Sequence, residues 1–244
     1  MRKLLAIVLA LTTFTTAFAQ EDPTQAPPKK TYKITNRSGD HFMVQLATNI
    51  WDGTADTVKD YLKGFNRSAN AYIMFNKPFK GSPKLSLGIG VGISTSNIYF
   101  DKMNVQIAST KPNLPFIRTD TGSYYKKYKL STTYAEIPLE LRYTADPNNP
   151  NKSLKAAIGV KIGTLLGAHT KAKDLKNAAG STLNSATIKE SSKSYFNTTR
   201  FAATARVGYG LFSVFGSYNI TNIFKDGVAP DTKLIQVGIT ISGL

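Results

Sequence analysis

The chain has 244 residues, 31 Lys and Arg against 15 Asp and Glu, a formal charge of +16 and no cysteine. Such a length holds one large domain. The lack of cysteine excludes a disulfide framework, a thiolate metal site and a lipid-anchor cysteine. Strong basicity implies an anionic partner or a soluble basic surface. Nucleic acid is set aside, because no recognition-helix pattern or aromatic RNA-binding signature is present.

Residues 1–19 read as a secretory signal peptide. Arg2 and Lys3 form the charged end, "LLAIVLAL" (4–11) the apolar middle, and "AFA" (17–19) a small-residue cleavage site. Residues 20–40 are polar and contain proline, so they read as a flexible periplasmic lead-in. No other stretch offers the roughly 20 apolar residues of a spanning helix. If the mature chain crosses a membrane, it must do so with strands.

From residue 41 the sequence alternates. The predicted strands are 41–51 (Phe42, Val44, Leu46 and Ile50 on one face), 67–77 (Ala69, Ala71, Ile73, Phe75), 84–100, 130–145 (Ile137, Leu139, Leu141, Tyr143), 153–169 (Leu154, Ile158, Val160, Ile162, Leu166), 198–209 (Phe201, Val207, Tyr209), 211–221 (Phe212, Val214, Tyr218) and 233–244 (Ile235, Val237, Ile239, Ile241). Within the third, "LSLGIGVGIS" (85–94) sets Leu85, Leu87, Ile89, Val91 and Ile93 against a face of only Gly and Ser. A soluble sandwich places charges on its second face. A face of glycines implies crowding, as in the interior of a narrow barrel.

The connectors sort by length. Short turns fall at 78–83, 146–152 and near Gly210; long polar loops fall at 52–66, 101–129, 170–197 and 222–232. That asymmetry belongs to outer-membrane barrels. Eleven residues at about 3.4 Å, tilted by about 45°, rise about 26 Å, close to the required apolar band. The expected fold is therefore all-β, an eight-stranded antiparallel up-and-down transmembrane barrel over 41–244. The apolar stripes would face lipid. Trp51, Phe75, Tyr99, Phe100, Tyr143, Phe201 and Tyr209 would form interfacial girdles.

The opposite parity carries ions. Glu136, Glu140 and Arg142 share one face of the fourth strand, Lys155 and Lys161 of the fifth, Arg200 and Arg206 of the sixth. Facing lipid, an Arg or Lys would cost roughly 2–4 kcal/mol at mid-depth. Facing inward, Glu136, Glu140, Arg142, Lys161 and Arg206 would form a structural ion network in a lumen just wide enough to be filled. A proton or ion path is the alternative. Pro138 lacks the N–H of a ladder rung and should mark a bulge or bend.

"YAEIPLELRY" (134–143) resembles the middle-strand motif of the PorT-like outer-membrane barrels, within the outer membrane protein β-barrel domain family. Glu136, Ile137, Pro138, Leu139, Arg142 and Tyr143 carry the match; "NIFK" (222–225) and "VGITI" (237–241) are similar too. The resemblance implies an eight-stranded outer-membrane barrel and, for the name-giving member, a place in a protein-secretion apparatus. The chain departs from it at its end, "ISGL", where Leu244 stands in place of an aromatic residue that assembly machinery reads.

Catalytic and metal sites are not expected, nor is a cofactor. Only His41 and His169 are available. His169 lies at the loop end of its strand, where a hydrolase acting on lipid A or peptides would place its base. "GAHTK" names no nucleophile and no orienting acid. His41 reads as interfacial. The loops supply the remaining candidates: Lys126, Lys127, Lys129, Lys171 and Lys173 as anion contacts. Expected partners are outer-membrane lipids and lipopolysaccharide, together with other envelope proteins. The expected function is that of a non-enzymatic barrel with a closed lumen and a structural or surface-interaction role, with accessory work in secretion as the finer reading. A hydrolase, a small pore and a soluble ligand carrier are the rivals.

Overall fold

The computed structural model describes residues 41–243. The expected signal peptide, the 20–40 lead-in and Leu244 lie outside them. Eleven strands run in chain order: β1 (Phe42–Asp52), β2 (Asn66–Phe79), β3 (Ser82–Phe100), β4 (Met103–Val105), β5 (Phe116–Arg118), β6 (Tyr124–Thr144), β7 (Leu154–Lys176), β8 (Thr182–Ser191), β9 (Thr199–Tyr209), β10 (Phe212–Asn219) and β11 (Lys233–Ser242). The sheet order is β6-β3-β2-β1-β11-β10-β9-β7, and a β6–β7 pairing closes the ring. All of these pairings are antiparallel. The eight-stranded antiparallel barrel expected from the alternation is what forms.

Strand parity decides which face each residue takes. Ile73, Phe75, Ile89, Val91, Ile93, Ile137, Ile158, Val207, Val214 and Ile239 stand exposed on the outer wall. An exposed apolar belt of this kind is the lipid-facing band of a membrane barrel. The glycines of β3 line the inner wall. A methyl group on Gly92 would lie 2.1 Å from the Ala71 carbonyl oxygen and 2.5 Å from the Tyr72 ring; one on Gly90 would lie 2.3 Å from the Met74 sulfur. That crowding is why "LSLGIGVGIS" has almost no side chain on one face.

The connectors β2–β3, β6–β7 and β9–β10 lie at one end, with the start of β1 and the end of β11. At the other end three strands outgrow the ring. β3, β6 and β7 have 19, 21 and 23 residues, against 11 in β1 and β9. β9 pairs with β7 only over Leu154–Thr164. From His169 upward, β8 takes that edge. The segments 101–129 and 170–197 are therefore not loops throughout: they contain β4, β5, β8 and the upper parts of β6 and β7. Their polarity hid strands that stand in water on one face or, in β8, on both.

Two further expectations change. Pro138 makes no bulge. The β3–β6 ladder keeps one register from Ile89–Leu139 to Gly92–Glu136 and omits only the two rungs between, where proline has no N–H to give. The bulge lies higher, where Tyr134 faces Leu165 but Thr133 faces Gly167, so Leu166 is the extra residue on β7. Nor are Trp51 and Phe100 interfacial. Both are buried in an apolar cluster inside the upper end of the ring. Phe75, Tyr143, Phe201 and Tyr209 do stand on the outer surface.

Candidate functional site

The lumen holds two ion layers. In the upper one, Arg200 Nη2 bonds Glu136 Oε1, Tyr72 Oη donates to Glu136 Oε2 at 2.5 Å, and Arg200 lies 4.1 Å over the Tyr134 ring. In the lower one, Glu140 Oε2 accepts from Arg142 Nε at 2.8 Å and from Arg206 Nη2 at 3.1 Å. Register explains the meeting: Glu140 faces Gly88 on β3 and Gly159 on β7, and Ala157, two residues from Gly159, faces Arg206 on β9. Glycine on the flanking strands leaves the space that the long side chains cross.

Lys161 is placed otherwise than a direct Glu140 pairing would have it. Its Nζ donates to Gln45 Oε1 at 3.0 Å and lies 5.2 Å from the Tyr72 ring and 5.4 Å from that of Phe215. Sequence reasoning missed Gln45, Tyr72 and Ser94, whose hydroxyl accepts from Arg200 Nη2 at 2.9 Å, as partners, because polar residues inside an alternating strand carry no sign of which strand they will meet.

Above the ions sits the apolar cap. Met103, Val105, Ile107 and Leu114, from the connector after β3, pack with Trp51, Phe100, Phe196 and Phe224. Phe224 of "NIFK" is 5.7 Å from Trp51 and 5.4 Å from Phe196, ring to ring. Tyr128 Oη donates to the Val105 carbonyl at 2.7 Å, and Tyr195 Oη to that of Lys111 at 2.6 Å, fastening the folded-back connector. Between cap and ion layer, bounded by Trp51, Tyr134 and Arg200, the void is about 10 Å³, room for about one water.

The outer surface above the apolar belt is basic. Lys129 on β6 faces Lys171 on β7, which faces Lys189 on β8; two rungs higher, on the same face, Lys127 faces Lys173. Like charges directly opposite on adjacent strands repel. Burial and the Lys171 ammonium hold Lys129 below its ordinary pKa. Lys126 is exposed but has the opposite parity, so it does not join this row. Beside it a groove of about 400 Å³ is lined by Lys63, Phe65, Arg67, Tyr99, Lys127 and Tyr128. Arg67 lies 5.0 Å over Phe65, and Lys129 5.9 Å over Tyr99 while bonding Asn97 Oδ1 at 2.7 Å.

His169 sits at the lower edge of this face, opposite Ser131 and Ser191. Burial, Lys189, Lys129 and Lys171 all depress its pKa. His41 precedes β1 and is exposed. Among the described residues no cluster of His, Asp and Glu could hold a metal ion.

A family model described as outer membrane protein beta-barrel domain matches residues 18–225. No curated protein matches the chain. Among solved structures, the chain is similar to the crystal structure of Ail, the attachment invasion locus protein of Yersinia pestis, in complex with the heparin analogue sucrose octasulfate. The identity is 12% and the TM-score 0.35, over 82% of this chain and 94% of that one.

Proposed function

The chain belongs to the outer membrane protein β-barrel domain family, and from that premise we propose that it is a closed, non-enzymatic barrel with a structural or surface-interaction role. The observation that carries this reading is the filled interior. Two ion layers and an apolar cap occupy the lumen, and the space between cap and ions is about 10 Å³. An eight-stranded ring encloses little more than its own side chains. Reconstituted in planar bilayers, the protein should show no steady conductance. Discrete ion-selective openings that change with Glu140→Gln would replace this reading with a small pore.

The absence of catalytic work rests on His169. The charged groups that act on it are three lysines, whereas a general base needs an orienting acid and a nucleophile in reach. His169→Asn should leave outer-membrane lipid turnover unchanged. Its surface partners are outer-membrane lipids, lipopolysaccharide among them, met by the basic face. In the finer reading, which the "YAEIPLELRY" resemblance supports, the chain is a PorT-like barrel that assists a secretion assembly. Loss of the protein should then reduce the amount of secreted substrate outside the cell.

A further inference from the structure

We propose that the outward face of β3, β6, β7 and β8 above the apolar belt is a docking surface for the phosphorylated saccharide head of an outer-leaflet glycolipid in the same membrane. The inference rests on the outer-membrane reading and names the surface by which the barrel would engage its own lipid.

Four observations converge. The first is the row of cations. Lys129, Lys171 and Lys189 face one another across three strands, with Lys127 and Lys173 two rungs above on the same face. Their mutual repulsion stands without an anion between them. Nearby acids do not relieve it. Asp101 pairs with Lys63 at 3.4 Å, Asp174 Oδ1 accepts from the Ser185 hydroxyl at 3.0 Å, and the exposed Glu190 faces Thr170, with the parity opposite to that of Lys189.

The second is direction. These lysines sit on the outer wall, continuing the parity of Ile137, Leu139 and Leu141 on β6. Loop tips would offer charge to the medium; a wall offers it sideways, to molecules standing in the leaflet beside the barrel.

The third is height. Lys129 is six residues beyond Ala135, and Ala135 faces Ile93, the last large apolar residue of the β3 stripe. At about 3.4 Å per residue and a tilt near 45°, that places Lys129 about 14 Å above the β3 stripe and about 10 Å above the exposed Leu166, which ends the β7 stripe level with Thr133. A phospholipid headgroup layer is only about 5–8 Å deep on each side. The cations therefore stand at a level that a saccharide-bearing head reaches and a simple phospholipid head does not.

The fourth is the adjoining groove of about 400 Å³, where Arg67, Lys63 and Lys127 surround the rings of Phe65 and Tyr99. It joins donors for phosphate to apolar surface, the lining that fixes and orients a small ligand.

The test uses the full barrel in detergent, titrated with diphosphoryl lipid A and read by native mass spectrometry. The quadruple variant Lys127→Gln, Lys129→Gln, Lys171→Gln, Lys173→Gln should bind about tenfold more weakly or worse. A charge-matched control at the turn end, Lys77→Gln, Lys80→Gln, Lys84→Gln, Lys152→Gln, should bind like the parent. If the quadruple variant fails to fold, Lys171→Gln alone keeps the test open. It should bind several-fold more weakly, yet unfold no earlier than the parent in phosphatidylcholine vesicles, since it relieves a like-charge contact. Equal binding by parent and variant, with heat-modifiable gel mobility in both, overturns the docking surface and leaves the barrel standing. A parent without heat-modifiable mobility overturns the barrel reading and the surface with it. Displacement of lipid A by equimolar inositol hexakisphosphate would assign the face to a soluble polyanion and overturn the glycolipid.

Discussion

Glu140→Gln perturbs the lumen where its charge is least replaceable. Glu140 is 1% exposed and joins Arg142 and Arg206. Glu136, the second buried acid, is taken by Arg200. After the substitution, Glu136 is the one fully buried acid left among the described residues, and it is already bonded to Arg200, so Arg206 loses the carboxylate it bonds. Breaking one partner of a buried pair costs about 3–5 kcal/mol. The amide keeps an acceptor for Arg142 Nε, so the loss should lie near the lower bound. Adding Arg206→Met removes a base that has lost its acid, and the double variant should recover part of the loss. The coupling should exceed about 0.5 kcal/mol, as groups in one network require. Lys161→Met should couple less, because Lys161 bonds Gln45 instead. Urea unfolding in detergent is read by the single tryptophan, Trp51, and by gel mobility. Trp51 reports the cap and mobility reports the ring, so coincident transitions check cooperativity. An unchanged midpoint for Glu140→Gln, or strict additivity with Arg206→Met, would refute the network.

Ile89→Arg places an unpaired charge on the lipid face and should cost roughly 2–4 kcal/mol at mid-depth. Gly90→Leu should cost at least 1–3 kcal/mol by overfilling the lumen, given Met74 at 2.3 Å and the Ile73 carbonyl at 2.5 Å; folded yields of both equal to the parent's would contradict the barrel parity. A cysteine at Asn184 on β8 should react with an impermeant reagent on intact cells, and one at Asn149 in the β6–β7 turn should not; the reverse pattern would invert the topology. Deleting Leu166 should turn Lys171 and Lys173 toward the apolar cap and lower the unfolding midpoint. A deletion variant as stable as the parent, with its lysines still open to acylation, would show that the bulge does not set their direction.

The ring was legible because each strand must satisfy one rule along its length: oil outward, small or polar inward. Ile73, Ile89, Ile137, Ile158 and Val214 all obey it. The inward ions were legible by the same parity, but their pairing was not. Arg200 reaches Glu136 and Lys161 reaches Gln45 through strand order and height, and neither is written in local sequence. The upper strands escaped detection for another reason. In β8, nine of ten residues are exposed, so no apolar stripe marks it. Trp51 and Phe100 lie where girdle aromatics lie in the sequence. Only the folding back of 101–123 turns their surroundings from interface to core.

The bulge joins these pieces. Below it, the even residues of β7 (Leu154, Ile158, Val160, Ile162) face lipid and the odd ones (Lys155, Ala157, Lys161) face the lumen. Above it the sense reverses: Ala168, Thr170 and Ala172 are buried, and Lys171 and Lys173 are exposed. β6 keeps its parity throughout, with Tyr134, Leu130 and Tyr128 inward and Lys129 and Lys127 outward. Without Leu166, the lysines of β7 would point into Leu130, Phe100 and Phe196, at the desolvation cost of a buried unpaired charge. With it, one strand serves lipid below and a cap above, and its cations come level with those of β6. The extra residue stands where β7 leaves β9, between the last β9 rung at Thr164 and the first β8 rung at His169. There the ladder to one neighbour is already interrupted, so an unpaired residue disturbs least. The same residue thus aligns the apolar face that caps the lumen and the basic face above the belt, so a change that disorders one should disorder the other.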